Sequence, residues 1–181
     1  MAHTVAPTTV KLFVVTLHRE QEALAGAMAL LQERWGFTDF VSEDFPFDFT
    51  NYYEAEMGKD LARRIYSFER LITPDQLVDA KLFTNEVEDK YNGETGRRVN
   101  LDPGYIDNFK LVLASAKFGG QKIYLRNGIY ADMTLVMFKG KWESFNWGFP
   151  DFKSRRYDDA LCKIRDIYKR QAGFLNSIDS R

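Results

Sequence analysis

The chain has 181 residues, of which 45% are hydrophobic, 15% aromatic and 28% charged, and its formal net charge is −1. This composition excludes a disordered chain and predicts one compact domain over 1–181, with flexible ends at 1–9 and 176–181. No apolar run approaches the roughly 20 residues that cross a bilayer, and no secretory signal opens the sequence. The sequence therefore favours a cytoplasmic protein without membrane contact. Its near-neutral charge argues against extensive nucleic-acid binding, which needs many Lys and Arg contacts with phosphate.

Charge is unevenly distributed along the chain. Residues 39–94 are mainly acidic, whereas residues 95–181 carry more bases than acids. Either the two parts complement each other across the fold or a dimer contact, or the basic part faces an anionic ligand. Cys162 is the only cysteine in the sequence, which excludes a disulfide within the chain and a zinc site built from cysteines.

The first two elements have clear signals. Residues 10–17 are an apolar run rich in β-branched side chains, which predicts a buried strand. A helix is predicted from about Glu20 to Trp35, where Gly36 is placed to cap its C-terminus. One stripe of this helix is apolar and comprises Leu24, Met28, Leu31 and Trp35.

The segment 41–58 predicts an irregular loop with short strand pieces, followed by a strand at about 62–68. Its aromatic residues either close one edge of the core or stack on a ring of a ligand. They are Phe45, Phe47, Phe49, Tyr52 and Tyr53. Its acids offer the oxygen ligands that Mg²⁺ prefers, although their spacing matches no known metal loop. They are Asp44, Asp48, Glu54 and Glu56.

A second helix has the strongest start signal in the chain. Thr73 is placed as the N-cap, Pro74 as the first helical residue and Gln76 as the capping-box partner. Lys81, Asn85 and Glu88 follow at helical spacing, so that one face carries a base, an amide and an acid. That face is either solvated or directed into a cleft against cationic strands.

Residues 97–138 predict three strands in succession, with turns at Gly119-Gly120 and Asn127-Gly128. A two-residue hairpin at Gly119-Gly120 predicts a core face formed by Val112, Ala114, Ala116, Ile123 and Leu125. The opposite face is then cationic and carries hydroxyl groups, and it includes Ser115, Lys117, Lys122, Tyr124 and Arg126.

The Asn127-Gly128 turn decides which neighbours Asp132 and Thr134 have. A strict type I′ turn places Asp132 and Thr134 beside Leu125 and Lys110, whereas a single bulge places them beside Tyr124, Arg126 and Ser115. We favour the bulge, because it keeps the Asp132 carboxylate out of the interior.

Asp102-Pro103-Gly104 has the residue order of a type II turn, which is the simplest interpretation of this tripeptide. The alternative is that Asn100 and Asp102 lie at the end of a strand and point into a site.

A third helix is predicted from about Tyr157 to Leu175, with Leu161, Ile164, Tyr168 and Leu175 on its apolar side. Together these elements predict an α+β domain. Its sheet would be mainly antiparallel, with about five or six strands, and about three helices would cover chiefly one face.

Several blocks resemble a family of small bacterial and archaeal proteins catalogued as a domain of unknown function (family 4416). They include SEDFPFDFTNYYEAEMG, RRVNLDPGYI, IYLRNGIYADMTL and FPDFKSRRY. The resemblance covers the chain from about Val10 to Tyr168 and implies a stand-alone single domain. Some members carry a GTP-binding label, but the chain has no G-x-x-x-x-G-K-[ST] loop. Asp132 departs from the Glu expected at that family position.

We expect binding of a small anionic ligand, a nucleotide or phosphorylated metabolite, at a polar sheet face. The candidate ligand-binding residues are Lys81, Asn85, Glu88, Asn100, Asp102, Lys117, Tyr124, Arg126, Asp132 and Thr134. The bases would neutralise phosphate, while the carboxylates would orient hydroxyls or hold a hydrated Mg²⁺. An enzymatic variant assigns Asp132 or Asp102 as a general base. The alternative from a different class is a homodimeric protein-interaction module without catalytic activity.

Overall fold

The computed structural model describes residues 3–93 and 96–179, with side chains up to residue 173. The bounds of the β-strands are β1 Val10–His18, β2 Thr38–Val41, β3 Phe45–Pro46, β4 Ala62–Ile72, β5 Asn92–Gly93, β6 Gly96–Arg97, β7 Val99–Ile106, β8 Lys110–Ser115, β9 Ile123–Arg126, β10 Ile129–Phe138 and β11 Lys141–Ser144. The α-helices are α1 Gln21–Trp35, α2 Glu54–Met57, α3 Leu77–Lys90, α4 Pro150–Lys153 and α5 Asp158–Asp179, and a 3₁₀ turn spans Pro74–Gln76.

Nine of the described strands form one antiparallel sheet. Its main order is β11-β10-β8-β7-β1-β4-β2, while β3 adds to β4 and β9 adds to β10. The prediction of an antiparallel α+β domain is confirmed, but the expected five or six strands are too few. β2 was not predicted and β3 was expected only as a short strand piece; they have four and two residues, too few to give a hydrophobic period that sequence reasoning can detect. The eight-residue β7 was not recognised as one strand, because Asp102-Pro103-Gly104 has the residue order of a turn.

The central strand β1 explains why the sheet has helices on both faces. All nine of its residues are buried. Val10, Leu12 and Val14 belong to the core that includes residues of α1 and α3, whereas Phe13 and Val15 belong to the core that includes residues of α4 and α5. The expectation that helices cover chiefly one face is therefore wrong, because a strand apolar on both sides needs cover on both sides.

The predictions for α1 and α3 agree with the structure. The four predicted stripe residues of α1 are buried, and Gly36 ends the helix with a φ of 85° and donates its N–H to Gln32. Ahead of α3, the Thr73 backbone N–H donates to the Gln76 side chain at 2.9 Å, as the capping box requires. The predicted flexible end at 176–181 lies beyond the described side chains.

The connection after β8 differs from the predicted hairpin. β8 and β9 do not pair with each other across Gly119-Gly120, because both pair with β10, on its opposite edges. As a result Ile123 is 67% exposed and Leu125 is 37% exposed, so neither belongs to the core. Ala116 is also exposed, whereas Val112 and Ala114 are buried as expected.

The Asn127-Gly128 turn combines the two predicted alternatives. Asn127 and Gly128 have φ values of 53° and 75°, the positive pair of a type I′ turn, and Arg126 pairs with Ile129 across it. The register then shifts, so that Tyr130 pairs with Tyr124. Asp132 pairs with Leu113 of β8 instead of lying near Arg126, and it is buried in spite of the bulge.

Candidate functional site

A cavity of about 620 Å³ opens where the sheet splits between β7 and β8. The two strands pair only at Gly104, Tyr105 and Ile106. Farther along, residues 99–103 of β7 still pair with β1, but their other edge has no strand partner among the described residues. The cavity occupies this gap, and side chains from α3, the 47–53 segment and the start of α4 complete its lining.

Two side chains of α3 bond to the edge of β7 that lacks a strand. The Leu101 backbone N–H donates to Glu88 Oε1 at 2.6 Å, and the Leu101 carbonyl accepts from Lys81 Nζ at 3.1 Å. Lys81 and Glu88 are each only 6% exposed. Since a buried backbone group without a partner is costly, Glu88 and Lys81 replace the hydrogen bonds that a neighbouring strand would make.

A polar network continues from Lys81 toward the cavity. Lys81 Nζ donates to Asp102 Oδ1 at 3.2 Å, and Asn100 Nδ2 donates to Asp102 Oδ2 at 2.8 Å. Arg97 then donates to Asn100 Oδ1 at 2.6 Å and forms a bidentate pair with Glu56 at 2.6 and 2.8 Å. These bonds hold the Asp102 carboxylate and Asn100 amide in fixed orientations.

Glu88 and Asp102, which both lie close to Lys81, have opposite pKa shifts. Burial raises the pKa of Glu88, and the nearby Lys81 ammonium only partly opposes that effect. Burial also acts to raise the pKa of Asp102, but Lys81, Arg63 and the Asn100 amide outweigh it and lower the pKa. Asp102 is therefore a stable anion at neutral pH.

Aromatic rings form one wall of the cavity. Phe47 and Tyr53 contact each other edge to face with centroids 5.9 Å apart, and Phe149 and Phe152 line the wall on the α4 side. Arg63 lies beneath the Phe47 ring at 4.7 Å and pairs with Asp151 at 3.0 Å. The wall offers apolar faces on which a planar group can stack.

Lys117, Lys122 and Asp132 line the cavity from the side of β8, β9 and β10. Lys117 Nζ donates to the Tyr52 hydroxyl at 2.9 Å, and this bond lowers the pKa of Tyr52. Lys122 Nζ donates to Ser115 Oγ at 2.8 Å and lies 3.5 Å from Asp132 Oδ2. This side of the cavity therefore carries two bases and one acid.

Seven of the ten candidate residues lie together at the cavity. They are Lys81, Asn85, Glu88, Asn100, Asp102, Lys117 and Asp132. Of the two alternatives for the polar face of α3, the structure shows the one directed into a cleft. Whether these residues bind a ligand remains a prediction.

Tyr124, Arg126 and Thr134 do not line the cavity. Arg126 pairs with Asp79 of α3 at 2.7 Å, and both side chains are about half exposed, at 46% and 50%. Tyr124 packs on the Tyr130 ring and is 58% exposed, while Thr134 is buried and donates to the Asp132 carbonyl. The proposed cationic strand face does not exist, because β8 and β9 lie on opposite edges of β10.

The type II turn expected at Asp102-Pro103-Gly104 is also wrong, since these residues lie inside β7. Alternation along the strand places Pro103 on the same side as Leu101, so the position without an N–H faces the gap. A Cβ on Gly104 would approach the Val112 carbonyl oxygen to 2.6 Å and the Phe13 ring to 2.7 Å. Both residues therefore suit the point where the sheet begins to split. Pro103 leaves no N–H without a partner at the gap, and Gly104 leaves room for the close approach of Val112 and Phe13.

Sequence reasoning missed several residues of the cavity, chiefly Arg63, Arg97 and Asp151. Arg63 of β4 lies opposite Leu17 of β1, so the two side chains lie on the same face of the sheet. Its charge inside a strand was a detectable signal, since such a residue needs a partner or a site. Nothing local in the sequence connects Asp151 to it, because they lie 88 positions apart.

Three of the four acids considered for Mg²⁺ in the 41–58 segment pair with different arginines. Asp44 pairs with Arg64 at 2.6 Å, Asp48 with Arg156 at 2.8 Å and Glu56 with Arg97. Among residues 3–93 and 96–179 there is no group of three or more His, Cys, Asp or Glu side chains that could hold a metal ion. This segment therefore does not assemble the Mg²⁺ site that was considered for it.

Comparison with known proteins gives one match. A family model described as "Domain of unknown function (DUF4416)" matches residues 8–168. No curated protein and no solved structure matches the chain. In the described part of the chain, no helix is both long and apolar enough to cross a membrane.

Proposed function

We propose that this chain, which belongs to the family described as a domain of unknown function (DUF4416), binds a small anionic ligand in the cavity between β7 and β8. The ligand class is a nucleotide or a phosphorylated metabolite. The observation that carries the proposal is Lys117, a cavity-lining base with no carboxylate within 4.0 Å among the described residues. The Tyr52 hydroxyl to which it donates is a neutral group, so this bond does not form an ion pair.

The charge balance of the cavity supports an anion as the ligand. Bases outnumber acids among the described lining residues. The bases are Arg63, Lys81, Arg97, Lys117 and Lys122, and the acids are Glu88, Asp102, Asp132 and Asp151. Arg63, Lys81 and Arg97 each have a carboxylate within 3.2 Å, whereas Lys122 lies 3.5 Å from Asp132 and Lys117 has none within 4.0 Å among the described residues. An incoming phosphate would therefore be bound chiefly by Lys117, with Lys122 as the next available base.

The size and the aromatic wall support a ligand larger than phosphate alone. A cavity of about 620 Å³ lies within the usual range for small-molecule sites. Phe47, Tyr53 and Phe149 line the cavity together with the polar network, which suits a ligand with a planar ring and a charged end.

A binding screen tests the proposal directly. Calorimetry or thermal shift would be run with nucleotides and sugar phosphates, with and without Mg²⁺. We expect a hit whose affinity falls about tenfold in Lys117→Ala, because one charge-assisted bond is lost. Arg126→Ala is the matched control, since Arg126 lies outside the cavity and should leave binding unchanged. Absence of any hit, or equal effects of the two substitutions, would contradict the proposal.

A second candidate function is homodimerisation through the outer edge of the sheet. The described residues of β9 are all exposed and include Ile123, Tyr124 and Leu125, and the neighbouring Phe118 is 79% exposed. An exposed edge strand with apolar side chains is suited to pairing with a second copy. Light scattering on the wild type and on Ile123→Asp tests this function: it predicts a dimer that the substitution dissociates, and a wild-type monomer would exclude it.

A further inference from the structure

Asp132 is a buried carboxylate that lines the cavity. It lies on β10 opposite Leu113 of β8, and the whole residue is 4% exposed. A carboxylate in such a position needs hydrogen bonds to replace the water that it has lost.

The structure gives the Asp132 carboxylate no hydrogen-bond donor among the residues it describes. The nearest cation is Lys122 Nζ at 3.5 Å, and that ammonium already donates to Ser115 Oγ at 2.8 Å. The other acids that line the cavity are bonded more closely. Glu88 accepts from the Leu101 N–H at 2.6 Å, Asp102 accepts from Asn100 at 2.8 Å, and Asp151 lies 3.0 Å from Arg63.

We infer that Asp132 accepts a hydrogen bond from a hydroxyl group of the ligand, so that the cavity selects hydroxylated phosphates over anions that have no proton to donate. This inference rests on the proposed function and specifies its ligand class. Lys117 and Lys122 would bind the phosphate oxygens, and a neighbouring hydroxyl would donate to Asp132 beside Lys122. A dianion that has no proton to donate would be repelled by the Asp132 carboxylate and would form no hydrogen bond with it.

The chemical class that fits is a phosphorylated polyol, such as a sugar phosphate or the ribose phosphate part of a nucleotide. Its hydroxyl groups are donors at neutral pH, whereas sulfate has none. The two probes therefore separate the attraction of the lysines, which both anions experience, from the donor requirement of Asp132.

The test is calorimetric titration of ribose 5-phosphate and of sulfate into the wild type, Asp132→Asn and Asp79→Asn. We expect the wild type to bind ribose 5-phosphate at least about tenfold more tightly than sulfate. Asp132→Asn should weaken ribose 5-phosphate binding by about tenfold while leaving sulfate binding unchanged or tighter, because the neutral amide oxygen accepts a weaker hydrogen bond than the carboxylate and the negative charge that repels both anions is gone. Asp79→Asn, the control outside the cavity, should change neither affinity.

Each outcome assigns the failure to one claim. Equal wild-type affinities for the two probes would overturn the inference while leaving anion binding in place, and this comparison needs no variant to fold. Tighter binding of both probes by Asp132→Asn would show that Asp132 only repels anions, which also overturns the inference. If nucleotides, sugar phosphates and both probes all fail to bind the wild type, the proposed function itself is wrong.

Discussion

The two ends of β7 differ in how their backbone is satisfied. At Gly104, Tyr105 and Ile106 the strand pairs with β8 as part of an ordinary antiparallel sheet. At Leu101 the same edge bonds to the side chains of Lys81 and Glu88 instead. Strand pairing closes the sheet at one end, whereas helix side chains keep it open at the other. The cavity exists because α3 supplies hydrogen bonds without filling the space that a strand would occupy.

The largest expected effect on stability follows from removing a hydrogen bond at the open end of β7, around Leu101. Glu88→Ala removes the acceptor of the Leu101 N–H and leaves a buried donor unsatisfied, so we expect a loss of about 3 kcal/mol in the free energy of unfolding. Chemical denaturation measures it. Glu86→Ala is the matched control, because Glu86 is an exposed residue of the same helix and its removal should cost less than about 0.5 kcal/mol. Equal losses would show that Glu88 does not replace a strand.

A smaller effect on stability is expected from a substitution at the closed end of β7, where the strand pairs with β8. Gly104→Ala would place a Cβ 2.6 Å from the Val112 carbonyl oxygen and against the Phe13 ring, so we expect a loss of about 2 kcal/mol from overpacking. Gly120→Ala is the control, since a Cβ there meets nothing within 4 Å, and we expect no loss beyond about 0.5 kcal/mol. A tolerated Gly104→Ala would mean that β7 and β8 can separate at this point as well.

The pH dependence of stability sharpens the role of Glu88. Because burial raises its pKa in the folded protein, folding favours the protonated carboxyl. The contribution of Glu88 is then complete below the ordinary value of 4.5 and is lost as pH rises through the raised pKa. Glu88→Gln keeps an acceptor for the Leu101 N–H but does not ionise. As pH rises above 4.5, the free energy of unfolding of this variant should therefore fall less than that of the wild type. Denaturation curves at a series of pH values provide the comparison, and parallel profiles would contradict it.

The smallest effect is expected outside both ends of β7. Arg126→Ala removes an ion pair with Asp79 in which both side chains are about half exposed, so we expect a change of less than about 0.5 kcal/mol in the free energy of unfolding. Thermal and chemical unfolding check this value. A loss comparable to that of Glu88→Ala would mean that the outer edge of the sheet contributes more to stability than its exposure indicates.

Local signals in the sequence were sufficient for the regular part of the fold. The apolar run of β1, the stripe and Gly36 cap of α1, and the Thr73 capping box ahead of α3 each predict an element that the structure contains. These features depend on residues within a few positions of one another, which is the range over which periodicity and capping act.

The arrangement of β8, β9 and β10 could not be predicted in the same way. Gly119-Gly120 has the local chemistry of a hairpin, yet β8 pairs with β10, and Pro103 and Gly104 resemble a turn although they lie within β7. In both cases long-range pairing overrides the local preference. Seven of the ten candidate residues line the cavity, but the sequence related them by spacing only where they share one element, as Lys81 and Glu88 do on α3.

Nuclear magnetic resonance mapping with ribose 5-phosphate tests the central claim most directly. In a titration of the labelled protein, the account predicts that the perturbed amides concentrate at the gap, around Lys81, Leu101, Lys117, Lys122 and Asp132. Amides of β9 near Arg126 should change little. Perturbations centred on β9, or scattered over the surface without saturation, would contradict the claim that the gap between β7 and β8 is a ligand site.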